Sequence, residues 1–145
     1  MLENIFAPYS DIGPLILRLG LAVVFLVHGW PKINPNSQMG GIGGVTGFFQ
    51  QLNVPLPGFF AWVVALLETA GSVLLILGLG TRIVALGFAV DMVVASWLVR
   101  IRMMNSPFAG GEGIGWEFEF ILGVAALALL FLGAGAYSLD AVVGF

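Results

Sequence analysis

The chain has no cysteine, one histidine and few charges, with five basic and eight acidic side chains among 145 residues. Without cysteine it cannot itself exchange thiols, form a disulfide or hold an iron–sulfur cluster, so any such chemistry belongs to a partner. One histidine excludes bis-histidine haem ligation within the chain and leaves a metal site poor in nitrogen ligands, so none is expected. The run Gly40-Gly41-Ile42-Gly43-Gly44 is not a phosphate cradle, because no strand precedes it and no Lys-Ser/Thr follows. A net charge of -3 with no basic patch excludes nucleic acid as a partner. No cleavable signal peptide is expected, since the first apolar run lacks a basic leader and more apolar runs follow.

What the chain has instead is apolar length. It is 59% hydrophobic with a mean hydropathy of +1.05, and only 9% charged. Soluble domains run nearer a quarter charged, so this composition describes an integral membrane protein. Four apolar stretches, at about 13–30, 58–79, 82–101 and 115–133, predict an all-α antiparallel four-helix membrane bundle in a single domain, 1–145. The first should begin at Pro14 and end at Trp30-Pro31, because the residue before proline is pushed out of the helical region. Residues 34–57 then form a long connection. Its glycine run reads as a mobile loop, and residues 46–53 as two turns of helix in the interface. Residues 102–115 read as a second Gly-rich loop, and those from 133 on as a short tail.

Four spans put both termini on one side, called side A, and the two long loops on side B. Every tryptophan (Trp30, Trp62, Trp97, Trp116) then falls at the side B boundary, and Tyr9 and Tyr137 at side A. Aromatic belts at both interfaces support this register independently of hydropathy. Lys32, Arg100 and Arg102 on side B, against Arg82 and a snorkelling Arg18, favour side B in the cytoplasm.

The central hairpin, 58–79 and 82–101, carries one acid on each arm. Glu68 lies twelve residues before Gly80 and Asp91 eleven after it, so folding brings both to nearly the same depth. A charge at mid-bilayer costs on the order of 3 kcal/mol, so both are candidate functional groups. Two such carboxyls cannot readily both ionise, and at least one proton between them is expected unless Arg18 reaches in. Ala61, Ala65, Glu68 and Ser72 share one helix face, a stripe of small and polar side chains that should meet other helices. Asp91 shares its face with Gly87 and Ala95. Arg18 either snorkels to side A headgroups or turns inward to pair with Glu68 or Asp91.

Near side B, His28, Lys32, Glu117 and Glu119 can be brought together by the first and fourth spans, with Trp30 and Trp116 of the belt beside them. Lys32 reads as solvated by headgroups. His28 reads as a hydrogen-bond donor to a bound head group or a proton relay, since imidazole titrates near neutrality. Glu117 and Glu119 lie 200° apart on a helix and cannot both face inward. Glu119 shares the small face with Gly123 and Ala126.

These residues also form a pattern. Leu17-Arg18-Leu19-Gly20, Phe25-Leu26-Val27-His28-Gly29 and Lys32 resemble the opening signature of the DoxX family of small four-helix membrane proteins. Glu68 with Gly71 and Leu77-Gly78-Leu79-Gly80-Thr81-Arg82, then Gly110-Gly111 with Trp116-Glu117, then Gly133-Ala134-Gly135-Ala136-Tyr137-Ser138-Leu139-Asp140 continue it in order. The resemblance covers nearly the whole chain and favours Glu117 over Glu119. Asp91 and Glu119 depart from it, since apolar residues or proline are expected there. It implies association with terminal quinol oxidases, thiosulfate:quinone oxidoreductase and membrane thiol or redox complexes.

Three functions follow as expectations. In the first, the chain is a quinone-interacting or proton-handling subunit in a bacterial-type inner membrane. His28 and a glutamate hold the quinone head, and Glu68 and Asp91 pass protons. No cofactor is covalently bound, and the electron carrier lies on a partner protein. The second is a non-enzymatic small-molecule transporter or assembly factor. The third is a structural bundle, in which buried charges merely pair. A homo-oligomer is compatible with each.

Overall fold

The computed structural model describes residues 7–110 and 115–145, and every regular element among them is helical. The first six residues of the leader, and Gly111 of the second glycine pair, lie outside the described residues. The helices are α1 (Ile12–Ile33), α2 (Gly41–Gln51), α3 (Pro57–Leu77), α4 (Thr81–Ala95), α5 (Glu117–Leu132) and a short α6 (Leu139–Val143). A π-helical segment, Ser96–Met103, continues α4 without a break. Three stretches, 7–33, 57–77 and 81–103, are long and apolar enough to cross a membrane. α5 packs on α4 and α1.

Three features depart from the sequence expectation. α1 does not stop at Trp30-Pro31 but runs to Ile33 with Pro31 inside it. Proline removes only one backbone donor, and this close to the helix end the loss is small. The last turn is closed by Asn34 N–H donating to the Trp30 carbonyl at 3.0 Å, and Ser37 Oγ donates to the Pro31 carbonyl at 2.6 Å. The glycine run is not a loop either. From Gly41 onward it is α2, seated on α3 with Val45 buried. Each glycine disfavours helix by about 1 kcal/mol, but packing overrides propensity, and Gly41 lets the chain press against Pro35. The π-helical segment has no counterpart in the hydropathy pattern.

The core is narrow and built from small residues. Ala22, Ala61, Ala65, Ala85 and Ala126 are fully buried, and the stripe predicted on α3 is buried along its length, Glu68 and Ser72 included. Phe25 and Phe88 stack face to face at 3.7 Å in the middle. Large apolar side chains such as Ile83, Val93 and Phe131 point outward, more than 60% exposed, as a helix bundle solvated by lipid requires. Trp30, Trp62, Trp97, Tyr9 and Tyr137 are exposed with them.

The tail after α5 is ordered into the bundle. Asp140 accepts from the backbone N–H of Gly80 at 2.7 Å and of Thr81 at 2.9 Å, capping α4 from outside its own sequence. Arg82 holds the other side of that end, donating to the carbonyls of Leu130 and Phe131 at 2.5 and 3.1 Å.

A charged pocket among α1, α3, α4 and α5

The site is organised by a close helix crossing. Gly29 of α1 lies against the backbone and Cβ of Glu68 on α3, where no side chain would fit. Because α1 continues through Pro31, Lys32 sits three residues beyond Gly29 on the same face and therefore looks at Glu68. Its ammonium donates to Glu68 Oε2 and, at 3.0 Å, to the His28 carbonyl. The pair is well sheltered, with side chains 15% and 6% exposed. Lys32 is therefore not the headgroup-solvated charge expected from the sequence. Its four-carbon stem spans the turn between the membrane boundary and a buried carboxylate.

Asp91 of α4 hydrogen-bonds to the Glu68 side chain and also feels the Lys32 charge. Its Oδ2 is buried with no partner. The equal depth predicted for the two acids has become direct contact. Ionised carboxylates only accept hydrogen bonds, so a bond between two carboxyls requires a proton on one of them.

On the opposite wall, Arg100 Nε donates to Glu119 Oε1 at 2.7 Å, while Glu119 Oε2 is buried without a partner. The π-helical segment carries Arg100, and such segments recur at functional sites because they re-aim side chains. Lys32, Glu68, Arg100, Glu119, His28 and Phe118 face a common pocket of about 190 Å³, closed below by Phe25, Met92 and Leu122. Lys32 and Arg100 here oppose the carboxyls of Glu68, Asp91 and Glu119, so each buried charge has an opposite charge beside it.

The other predicted residues fall as follows. His28 is exposed at the pocket rim, its ring 5.9 Å from that of Phe118. Glu119 faces the pocket and Glu117 does not; Glu117 Oε2 is buried without a partner, outside the pocket lining. Trp116 packs edge-on against Phe108 at 4.5 Å, and Trp30 is exposed and does not line this pocket. Among the described residues, no three His, Cys, Asp or Glu side chains are placed to hold a metal ion.

Arg18 is the clearest correction. It neither snorkels nor pairs with Glu68 or Asp91. It is fully buried eleven residues before Gly29, about 16 Å along α1, and Nη2 donates to the Tyr137 carbonyl at 2.5 Å. Asp140 lies near enough for its charge to be felt. Burial pushes the Asp140 carboxyl up, but the Thr81 and Gly80 N–H groups and the Arg18 charge outweigh it and hold it below its ordinary range. Sequence reasoning grouped Lys32 with His28 and Glu119 but read it as solvated, and it missed Arg100 as a pocket residue. The signal available for Lys32 was its three-residue spacing from Gly29.

The DoxX family profile matches residues 13–101. Curated relatives include "Putative oxidoreductase CatD" of Bacillus subtilis, 34% identical over 92% of this chain and 88% of that protein. The inner membrane protein YqjF of Escherichia coli is 30% identical, covering 90% of this chain and 92% of its own. The uncharacterized membrane protein Rv3486 of Mycobacterium tuberculosis is 32% identical over 87% and 78%. No solved structure matches.

Proposed function

The chain belongs to the DoxX family, and from that premise we propose that it is the quinone-interacting, proton-handling subunit of a membrane oxidoreductase system. It is a multi-pass protein of a bacterial-type cell membrane. In this reading α5 makes the fourth crossing, completing an antiparallel bundle. The electron carrier belongs to a partner protein, because the chain has no cysteine and one histidine. The relative named as an oxidoreductase is consistent with this.

One observation supports the proposal: a cluster of five ionisable side chains, two cations and three carboxyls, beside a pocket inside an apolar bundle. Burying five ionisable groups is expensive, and a purely structural bundle would be as stable with apolar side chains in their place. Quinone chemistry moves protons together with electrons. Lys32 and Arg100 are donors suited to head-group oxygens, Glu119 is an acceptor, and the Glu68–Asp91 pair is a proton store one step behind. His28 at the rim connects the pocket to side B.

The test is a pair of substitutions at Glu68, read in membrane quinone turnover or growth complementation with abundance checked. Gln preserves shape and hydrogen bonding but cannot release a proton, whereas Ala removes both. Loss of activity in Glu68→Gln as severe as in Glu68→Ala supports proton handling. Wild-type activity from Glu68→Ala at normal abundance refutes the role of the pocket. His28→Ala should weaken quinone binding, and unchanged binding would remove His28 from the head-group site.

A further inference from the structure

A second cavity lies on the outer face between α4 and α5. It is an open apolar groove of about 530 Å³ with Ala89 and Gly123 along its floor and Val90, Val124 and Leu127 on its exposed walls. Met92 and Glu119 line both this groove and the charged pocket, so the two spaces share a wall. Trp97 and Trp116 also line the groove. Tryptophan sits at headgroup level, so the polar end of the groove lies where a membrane amphiphile carries its head.

We propose that groove and pocket form one binding site for a long-chain quinol, with its tail along α4 and α5 and a hydroxyl of its head donating to Glu119 Oε2. This rests on the quinone reading above and narrows it to the reduced form. The volumes argue for a joint site. Binding cavities run roughly 300–1,000 Å³; the pocket alone falls below that range and the groove falls within it. The direction of hydrogen bonding selects the occupant. Arg100 satisfies Glu119 Oε1 and leaves Oε2 buried without a donor. A quinol hydroxyl supplies that donor, while a quinone carbonyl and a phospholipid ester only accept. Entry is lateral, from the bilayer past Val90 and Val124, with no opening of the bundle.

The experiment measures binding to purified protein in lipid nanodiscs of three probes: a decyl-chain benzoquinol kept reduced, the same molecule as the quinone, and the tail-less hydroquinone. Wild type should bind the decyl quinol about tenfold or more tighter than the quinone, as sites built to pair a hydroxyl do. Gly123→Leu and Val90→Trp fill the groove; Val90 is exposed, so its variant tests the groove without touching the core. Both should weaken the decyl quinol by about tenfold while leaving the tail-less hydroquinone unchanged. Glu119→Gln keeps an acceptor for Arg100 and turns an amide donor toward the pocket, so the preference should disappear or reverse. Equal wild-type affinity for quinol and quinone overturns the head-group assignment. Unaltered decyl-quinol binding in both groove variants overturns the tail assignment and leaves the groove to bulk lipid. If wild type binds neither redox form, the quinone reading itself fails, and this inference with it.

Discussion

Lys32→Met is the sharpest perturbation of the pocket, since it removes the cation on Glu68 and keeps the stem that fills the space. With Lys32 present, its charge offsets that of the buried Glu68 carboxylate. Without it, the cluster must either carry one more unit of uncompensated negative charge in the bundle interior or bind one more proton. Two routes give the cost. Removing one partner of a buried ion pair destabilises by about 3–5 kcal/mol. Protonating a carboxyl with an ordinary value near ~4.3 at pH 7 costs ~2.7 units at 1.36 kcal/mol each, or about 4 kcal/mol. The agreement makes about 4 kcal/mol the expected loss at pH 7, and it fixes the pH dependence. The variant gains a proton on folding that wild type does not, so its deficit is largest at high pH and shrinks as pH falls. Between pH 7 and pH 5 it should shrink by roughly 2.7 kcal/mol. Denaturant unfolding in mild detergent at the two pH values reads this directly. Lys32→Met with Glu68→Gln should recover most of the loss, since the double variant removes the carboxylate together with its cation. A deficit that does not change with pH, or a double variant no better than Lys32→Met alone, would refute the charge-balance argument.

Two further substitutions test the scaffold. In Gly29→Ala the new Cβ would meet Glu68 Cβ at 2.7 Å, Glu68 C at 2.8 Å and Thr69 Cγ2 at 2.9 Å, so α1 and α3 must separate. The expected cost is about 1–3 kcal/mol in the same unfolding assay, with reduced quinone turnover because Lys32 moves with Gly29. Asp140→Asn removes the charge from the cap on Gly80 and Thr81 and should loosen the tail by about 1.5–3 kcal/mol, read as faster hydrogen exchange at those two amides. Because Asp140 is held below its ordinary range, its contribution is complete above the unfolded carboxyl value. It is lost only as pH falls through the lowered folded value. Between pH 5 and pH 8 wild-type tail exchange should therefore not change beyond the intrinsic rate, and a transition in that interval would contradict the assignment.

What the sequence made legible followed periodicity. Ala61, Ala65, Glu68 and Ser72 recur at three and four residues, so their burial could be read directly, and counting from Gly80 placed Glu68 and Asp91 at one depth. What it hid came from end effects and distant contacts. Taking Pro31 as a stop cut Lys32 from the face it shares with Gly29, although a proline so near a helix end disrupts little. Arg18 finds its acceptor 119 residues away, on a tail that no periodic pattern marks. The glycine run 40–44 read as loop because propensity is a local quantity, while α2 is held by its contact with α3. Between the two acids of α5, the small face shared by Glu119, Gly123 and Ala126 was the better guide to the pocket.

The two buried polar clusters bear on the choice between a quinone subunit and a transporter. The charged pocket lies toward side B and the Arg18–Asp140 cluster toward side A, both coupled to α1. Between them the described residues place the Phe25–Phe88 stack with Leu21, Leu75, Val84 and Ala85 around it. The hydroxyl in that layer, Ser72 Oγ, donates to the Glu68 carbonyl at 2.5 Å and offers no onward step. Carrying an ion through such a layer means desolvating it at an effective cost of several kcal/mol, unless the helices part. Transport therefore requires a second conformation with α1 and α3 separated at Gly29, where their backbones are in contact. Quinone chemistry needs no such state, since the head enters from the bilayer side and its protons leave by the same face. The apolar layer separates the pocket from the Arg18–Asp140 cluster, and this favours proton exchange with a single compartment over passage across the membrane.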